Sequence, residues 1–230
     1  MASLGAWVDE VVAHNREPIA ETAGQIVRAH LSSGLVYTAG SGHSLAMVME
    51  TFFRAGGLAM VRPLFQPELL PLNGALKATA AERRAGMGAA VIKAAAPGAR
   101  DVVMIFSNSG RNPYPVEIAE GARASGATVV AFTSVAVSRD SEPRGSQRLF
   151  EVADIVLDTC TPPGDVSRPV QHPVTSPMST LACCAVWTEI LAMVAKIEPS
   201  VPLWRSANRD GNDQFNARLV DQLRTRIPEL

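Results

Sequence analysis

The stretch Asp101–Pro113, DVVMIFSNSGRNP, decides the fold of this chain. After Asp101 its first part is wholly apolar, and a short apolar run without polar alternation predicts a strand buried on both faces. A polar turn with a glycine follows, and Pro113 suits the first turn of a helix better than its interior. We therefore predict a helix over residues 113–125, closed by Gly126. A buried strand, a tight turn and a helix in this order are typical of an α/β protein with a parallel sheet.

Strands and helices alternate along the rest of the chain in the same way. We predict, in chain order, two helices within 5–31, a strand at 35–39, a helix at 45–53, a strand at 58–61, a helix at 78–95, strands at 128–132 and 154–157, a helix at 179–196 and a last helix ending near Arg226. The second helix is expected to start near Pro18, and residues 203–216 are expected to be irregular. Strands that alternate with helices predict βαβ units and therefore a parallel sheet.

Composition limits the possible partners of the chain. It has 230 residues, of which 47% are hydrophobic and 5% aromatic, so the core is mainly aliphatic. The 21 basic and 22 acidic residues give a net charge of −1, which lacks the basic excess that binding to nucleic acid requires. We find no apolar run of about 20 residues and no signal-peptide pattern. We therefore expect a cytoplasmic protein whose partners are neither nucleic acids nor membranes.

The chain is expected to contain one α/β core with an extension at each end. The predicted segments are a helical arm over 1–33, the core domain over 34–198, and a polar segment with a helix over 199–230 that belongs to the same domain. The three cysteines are Cys160, Cys183 and Cys184. An odd count with two adjacent residues does not suggest a disulfide framework, and no Cys/His spacing fits a zinc site. We expect reduced thiols, no metal and no cofactor.

Two loops follow predicted strands and carry small or hydroxyl residues. The first is Gly40–Ser44, GSGHS, and the second is Ser107–Asn112, SNSGRN. In parallel sheets, function usually sits at the carboxyl ends of the strands, where backbone N–H groups and the helix dipole favour an anion. Neither loop is a P-loop, and the first lacks the third glycine of a dinucleotide fingerprint. Each loop alone is equally well explained as an ordinary capped turn, whereas the pair favours a phosphate site.

These segments resemble the sugar isomerase (SIS) domain family. The pairing of GSGHS with FSNSGRNPYPVEIAEGARASGA is similar to that family, which includes phosphoheptose isomerase, the isomerase domain of glucosamine-6-phosphate synthase and N-acetylmuramic acid 6-phosphate etherase. The second loop most resembles the Ser-Gly-Arg turn of the etherase. The segments RLFEVADIVLDTCTPPGD and RSANRDGNDQFN resemble a group of uncharacterised bacterial SIS-domain proteins. The resemblance covers nearly the whole chain, and it implies a three-layer sandwich around a mainly parallel five-stranded sheet of flavodoxin type.

The resemblance also implies a set of residues that bind the substrate phosphate. Loop hydroxyls hold the phosphate in the family, and by position this role falls on Ser44, Ser107, Ser109 and Asn112, where Asn112 replaces the more usual Ser or Thr. The other loop residues assigned to the substrate site are Ser41, Asn108 and Arg111. Ser179 and Thr180 are similar to the helix start that closes the pocket in the etherase group, although a simple helix cap explains them equally well.

Glu50 is the first candidate for proton transfer. Reactions of sugar phosphates by isomerisation or elimination share the removal of a proton next to a carbonyl, which requires a positioned base and an acid. Glu50 lies on the helix that follows the first loop, among apolar neighbours, and such surroundings suit a carboxylate that works near neutral pH. The alternative is that Glu50 pairs with Arg54 one helical turn away.

Further candidates for catalysis are Glu82 and His43. The resemblance to the etherase, which has two working glutamates at a similar separation, implies a catalytic role for Glu82, whereas Glu82 could equally be an acidic residue that favours the start of a helix. His43 sits inside the first loop and is suited to acid/base work or to donating to the phosphate. His172 lies in a loop that could reach the site, and Asp165 could reach sugar hydroxyls or only stabilise its own turn.

Three functions remain open from the sequence. The first is a lyase that eliminates water or an ether from an amino-sugar 6-phosphate such as N-acetylglucosamine 6-phosphate. The second is an aldose–ketose isomerase; the resemblance to phosphoheptose isomerases implies histidine and glutamate on the helices around the site, and the helix after Thr180 contains no histidine, which disfavours this reaction. The third is a non-catalytic sensor of sugar phosphates. Because the predicted helices carry more apolar surface than one sheet face covers, and closed symmetric association is common, we also expect a homodimer or homotetramer.

Overall fold

A single parallel sheet forms the centre of the computed structural model, which describes residues 3–230. Its strands are β1 Val36–Gly40, β2 Val61–Pro63, β3 Val102–Phe106, β4 Thr128–Thr133 and β5 Ile155–Asp158, and their order is β2-β1-β3-β4-β5. Every neighbouring pair is parallel. The strand order predicted for a flavodoxin-type sheet is therefore present, and the direction in which successive strands are added reverses between β1 and β3.

The central strand β3 is buried along its whole length. It pairs with β1 from Val36 opposite Val102 to Gly40 opposite Phe106. On its other side Phe106 lies opposite Phe132 of β4, and the two ring centroids are 4.5 Å apart. The apolar run that predicted this strand is thus covered on both faces, as expected for a strand in a parallel sheet.

Helices cover both faces of the sheet and make a three-layer sandwich. The helices are α1 Leu4–His14, α2 Arg16–Leu31, α3 Leu45–Thr51, α4 Ala75–Ala81, α5 Met87–Ala95, α6 Pro113–Ala124, α7 Val135–Arg139, α8 Leu149–Val152, α9 Ser179–Ile197 and α10 Asn212–Leu223. On one side α2 and α3 pack on the strands, and α9 packs on α1, α2 and α3. On the other side α6 packs on β1, β3 and β4, with α5 and α8 against it. The α/β fold class predicted from the sequence is confirmed.

Helix α9 is unusually apolar. Within residues 3–230 it is the one helix that is long and apolar enough, by length and composition alone, to cross a membrane. It packs against α1, α2 and α3 with Trp187 and Ile190 almost fully buried. Leu181 and Ile197, by contrast, are 44% and 51% exposed. One side of α9 therefore completes the core, and another side leaves apolar surface uncovered.

The second strand lies later in the chain than predicted. A strand was expected over 58–61, but β2 spans Val61–Pro63. Leu58 instead forms an isolated antiparallel bridge with Leu203, and the N–H of Ala59 donates to the carbonyl of Pro202. The C-terminal segment therefore takes the backbone groups that a longer β2 would have used, which local sequence does not reveal.

The helix predicted over 78–95 is two helices. Helix α4 ends at Ala81 and α5 begins at Met87, and Gly86 between them adopts the left-handed conformation with φ of +86°. The carboxylate of Glu117 accepts hydrogen bonds from the N–H groups of Gly86 and Gly88 at 2.7 and 2.9 Å. A side chain of another helix thus caps the start of α5 and stabilises the break.

Three other helix ends differ from the predictions by a few residues. Helix α2 begins at Arg16, so that Pro18 lies within its first turn, where proline is tolerated. Helix α3 ends at Thr51 because Phe53 adopts φ of +44°, which leaves the helical region. Helix α10 begins at Asn212, so the irregular C-terminal segment is shorter than the predicted 203–216.

Candidate functional site

The two predicted loops leave the same edge of the sheet side by side. In sheets of this order, ligands bind where the strand order reverses, beyond the carboxyl ends of the strands. Here that point lies between β1 and β3, whose last residues, Gly40 and Phe106, are directly opposite one another. The first loop, Gly40–Ser44, and the second loop, Ser107–Asn112, are therefore neighbours at the switch point. The strand order places them at the position where this fold binds ligands.

The first loop is a tight turn that requires glycine. A β-carbon at Gly40 would lie 2.8 Å from the carbonyl oxygen of Ser44, and Gly42 has φ of +57°. The N–H of Ser44 donates to the carbonyl of Ser41 at 3.1 Å, which closes a 3₁₀ turn directly before α3. His43 is exposed within this turn. The small residues of GSGHS thus allow the backbone to fold back against the end of β1.

The second loop is equally constrained. Gly110 has φ of +57°, and a β-carbon there would lie 2.7 Å from Oγ1 of Thr133. Its carbonyl accepts from the N–H of Leu149 at 2.8 Å, which attaches the loop to α8. Asn112 precedes α6, but its side chain makes no capping hydrogen bond to that helix. The loop is therefore fixed by close packing of Gly110 against β4 and by its hydrogen bond to α8. The side chain of Asn112 does not cap α6.

Glu82 contacts the first loop and the helix that follows the second loop. The Ser41 hydroxyl donates to Oε2 of Glu82 at 2.9 Å, and the backbone carbonyl of Glu82 accepts from the N–H of Tyr114 at 3.3 Å. Glu82 follows α4, whereas Ser41 follows β1 and Tyr114 lies in the first turn of α6. Glu82 is half-buried. Its carboxylate therefore lies against the first loop, and its backbone contacts the helix that follows the second loop.

Arg144, which the sequence analysis missed, lies near Glu82 and near the charges of Arg83 and Arg111. Arg144 donates from its guanidinium to Oδ1 of Asn112 at 2.6 Å and from its backbone to the carbonyl of Arg111 at 2.9 Å. Desolvation lowers the pKa of Arg144, and the nearby positive charges of Arg83 and Arg111 lower it further, whereas Glu82 opposes the change. No sequence signal marked Arg144, because it reaches the second loop from the segment after α7.

Several hydroxyl groups at the site have no protein partner. Among residues 3–230, no hydrogen bond engages the side chains of Ser44, Ser107 or Ser109. Ser107 is 8% exposed, and the other two are half-buried. In the same part of the chain, Nε of Arg111 is buried without a partner. Donors at the edge of both loops are thus available to an anion.

Other predicted site residues have partners within the fold. Oδ1 of Asn108 accepts from the hydroxyls of Thr159 and Thr161 at 2.7 and 2.9 Å, so its side chain ties the second loop to the segment after β5. The hydroxyl of Ser179 donates to Asp165 at 2.6 Å, and Asp165 also accepts from the backbone N–H of Ser179. This is the geometry of a helix cap for α9. Thr180, next in the chain, is exposed.

Glu50 lies in a different environment from Glu82. It forms an ion pair with Arg54, as the alternative interpretation of the sequence described. It also lies close to α9, because burial and then the charge of Glu50 raise the pKa of the Cys184 thiol. The described contacts therefore place Glu82, but not Glu50, in hydrogen-bond contact with a loop. His172 is exposed in a separate turn closed by a bridge between Arg168 and Thr175.

Fold and site together define an α/β protein in which two polar loops lie side by side at the β1–β3 switch point. The model of the SIS domain family matches residues 1–134, which include both loops and Glu82. The chain belongs to the SIS domain family. The resemblance inferred from the two loops is thereby confirmed.

The chain is similar to curated and solved proteins along most of its length. It is 32% identical over 228 residues to a UPF0309 protein of Geobacillus thermodenitrificans, covering 96% of this chain and 92% of the relative. It is 33% identical to a UPF0309 protein of Brucella anthropi, covering 93% and 90%. Among solved structures, the sugar isomerase domain of an RpiR transcription factor from Sphaerobacter thermophilus has a TM-score of 0.55 at 19% identity, covering 94% and 92%. A phosphoheptose isomerase from Neisseria gonorrhoeae has a TM-score of 0.52 at 17% identity, covering 82% and 91%.

Proposed function

We propose that this protein is an enzyme that binds a phosphorylated sugar at the switch point and moves a proton of the sugar with Glu82. The observation that carries the proposal is the hydrogen bond from Ser41 to Glu82. It holds a carboxylate at the first loop, beside a second loop whose hydroxyls are unengaged among the described residues. A base next to a phosphate site is the arrangement that proton abstraction from a sugar phosphate requires.

The phosphate is held by the hydroxyls of Ser44, Ser107 and Ser109. Serine hydroxyls rotate to meet phosphate oxygens, and α6, which begins directly after the second loop, offers the positive end of its dipole. Arg111 and Arg144 add positive charge near Asn112. Charged donors form shorter and stronger hydrogen bonds with phosphate than neutral ones do. An anionic substrate also relieves the repulsion between these arginines.

The reaction that the etherase-like second loop favours is β-elimination. Glu82 removes the proton next to the carbonyl carbon, and the carbon–oxygen bond at the β position then breaks as its oxygen receives a proton. We propose an amino-sugar 6-phosphate such as N-acetylglucosamine 6-phosphate as the substrate and water as the leaving group. Glu50 and His43 are the candidates for the group that protonates the departing oxygen.

Isomerisation is the second candidate, and one observation favours it. Glu50 is paired with Arg54, which leaves Glu82 as the carboxylate held at a loop. A single base that carries a proton between two adjacent carbons is sufficient for aldose–ketose isomerisation. A solved structure with the same fold is a phosphoheptose isomerase.

Mass spectrometry of reaction mixtures separates these functions. The protein is incubated with a panel of hexose, heptose and N-acetylhexosamine phosphates. A product lighter by one water supports elimination, and a product of unchanged mass with altered retention supports isomerisation. Glu50→Gln tests the second carboxylate, since an unchanged rate of elimination would remove Glu50 from the reaction. Binding of a sugar phosphate without turnover across the whole panel contradicts an enzyme and supports a sensor.

We also propose that the protein is a cytoplasmic homodimer or homotetramer. Leu181 and Ile197 on α9, together with Leu4 on α1, expose large apolar side chains. Burying apolar surface against a second copy stabilises association. Light scattering after size-exclusion chromatography tests this, and a mass equal to one chain at micromolar concentration contradicts it.

A further inference from the structure

Three side chains of metal-binding type meet at the carboxyl end of the outer strand β5. They are His14 at the end of α1, Asp158 at the end of β5, and Cys160 two residues further on. Their ligand atoms all lie within 4.8 Å of one another, and Nε2 of His14 is 3.9 Å from Oδ2 of Asp158. Ligand atoms on a tetrahedral zinc ion lie about 3.5 Å apart, from bond lengths of about 2.0 to 2.3 Å. Small side-chain rotations would therefore bring the three atoms onto one ion.

The backbone around Asp158 is held by a buried side chain. Asn15 is 1% exposed. Its Nδ2 donates to the carbonyl of Asp158 at 2.8 Å, and its Oδ1 accepts from the N–H of Asp158 at 2.8 Å. This pair of bonds joins the residue after His14 to the end of β5. The two ligands are thus positioned relative to each other by a contact that does not depend on the metal.

The two carboxylate oxygens of Asp158 have different neighbours. Its Oδ1 accepts from the backbone N–H groups of Cys160 at 2.9 Å and of Val135 at 3.2 Å. Its Oδ2 is the oxygen that faces His14. Cys160 adopts φ of +50°, and its Sγ lies 3.5 Å from the carbonyl oxygen of Asp158. A left-handed conformation is uncommon for a residue with a side chain, and here it turns the thiol back toward Asp158.

We propose that His14, Asp158 and Cys160 bind a Zn²⁺ ion. Imidazole, carboxylate and thiolate are its usual ligands, and a site with one thiolate and one imidazole favours zinc over magnesium or calcium, which prefer oxygen alone. Three protein ligands leave a fourth position open to water. Because His14 ends α1, Asp158 ends β5 and Cys160 lies two residues beyond β5, the ion ties α1 to the end of β5. The spacing of cysteines and histidines does not mark the site, because His14 lies far from Asp158 and Cys160 in the chain.

Metal titration of the full-length, tag-free and chelator-stripped protein tests the site. Co²⁺ serves as the spectroscopic probe, and Zn²⁺ affinity is measured in competition with a chromophoric chelator. We expect one equivalent of metal and a near-ultraviolet absorption band from sulfur–cobalt charge transfer. Cys160→Ser should abolish the band, and Cys160→Ser and His14→Gln should each weaken Zn²⁺ binding by at least about 100-fold, since even changes behind the ligands cost up to that much.

Two control variants show whether a loss of Zn²⁺ binding is specific to the proposed ligands. Cys184→Ser removes a half-buried thiol on α9, and His30→Gln removes a histidine on α2; both should bind Zn²⁺ as the parent protein does. His14 is 59% exposed, so His14→Gln is expected to fold, which circular dichroism checks. Zn²⁺ should raise the melting temperature of the parent protein but not of His14→Gln, because a ligand that binds only the folded state stabilises it. The proposal is overturned if the parent protein binds no Zn²⁺ at micromolar concentration, or if Cys160→Ser and His14→Gln bind it as tightly as the parent.

Discussion

Ser41 and Glu82 lie far apart in the chain, and their hydrogen bond at 2.9 Å holds the carboxylate that follows α4 at the first candidate loop. Local sequence favoured Glu50, because its apolar neighbours suggested a desolvated carboxylate. The structure gives that carboxylate a partner one turn away, Arg54. Whether a helical carboxylate meets a loop or its own helix depends on tertiary packing, which explains why sequence alone left both alternatives open.

Replacing Ser109 tests the phosphate loop at the scale of one hydroxyl. Ser109→Ala should weaken binding of a sugar phosphate by about 1–3 kcal/mol, because a charged oxygen then loses its donor. Isothermal titration calorimetry measures the change. Ser32→Ala, at the exposed end of α2, is the control and should bind as the parent does. Equal affinity of Ser109→Ala and the parent would remove this hydroxyl from the site.

Replacing Gly110 tests the backbone of the same loop. Gly110→Ala introduces a β-carbon 2.7 Å from Oγ1 of Thr133 at φ of +57°, and we expect a loss of about 1–3 kcal/mol in the free energy of unfolding. Gly24 on α2 has no atom within 4 Å of the position that a β-carbon would take, so Gly24→Ala should instead stabilise by up to about 1 kcal/mol. Urea denaturation measures both. A neutral Gly110→Ala would show that the loop relaxes.

At the scale of elements, β3 and α6 were predicted almost to the residue, whereas β2 and α4–α5 were not. The apolar run of β3 is buried on both faces, and Pro113 marks the start of α6, so both signals are local. The break before α5 depends on the carboxylate of Glu117 in another helix. The position of β2 depends on the bridge between Leu58 and Leu203. Partners distant in sequence determine these boundaries.

The start of α9 is stabilised by Asp165, which lies in the turn after β5. Its carboxylate accepts from the N–H groups of Met178 and Ser179 and from the Ser179 hydroxyl. Asp165→Ala should lower the free energy of unfolding by about 1–2 kcal/mol, as the loss of a helix cap does. Thermal and urea denaturation measure the loss. Asp210→Ala, in the exposed segment before α10, is the control, and equal stability of the two variants would contradict the cap.

The reactivity of the Cys184 thiol on α9 reports on the contact between α3 and α9. Burial raises the pKa of this thiol, and the charge of Glu50 raises it further, so little reactive thiolate is present near neutral pH. Glu50→Gln removes the negative charge and should lower the pKa, which speeds alkylation of Cys184 by iodoacetamide. Mass spectrometry of the labelled peptide measures the rate. Glu189→Gln, exposed on α9, is the control; if Glu50→Gln leaves the rate unchanged, Glu50 does not face α9 in solution.

At the scale of the whole molecule, strand order links fold to function. The parallel sheet reverses its order between β1 and β3, and both candidate loops follow those two strands. The alternation of strands and helices was sufficient to predict the parallel sheet. It was not sufficient to predict Arg144, which reaches the edge from a loop without regular structure. The division into an arm at 1–33, a core at 34–198 and a C-terminal segment at 199–230 stays a prediction.

Proton exchange at the sugar carbon next to the carbonyl tests the role of Glu82 most directly, since elimination and isomerisation share that step. Each sugar phosphate that binds is incubated with the protein in D₂O, and deuterium incorporation is followed by NMR. The parent protein should exchange this proton, and Glu82→Gln should slow exchange by at least about 100-fold while binding is retained. Glu142→Gln, an exposed carboxylate near Arg144, should exchange at the parent rate. Exchange by Glu82→Gln at the parent rate would contradict the role of Glu82 as the base.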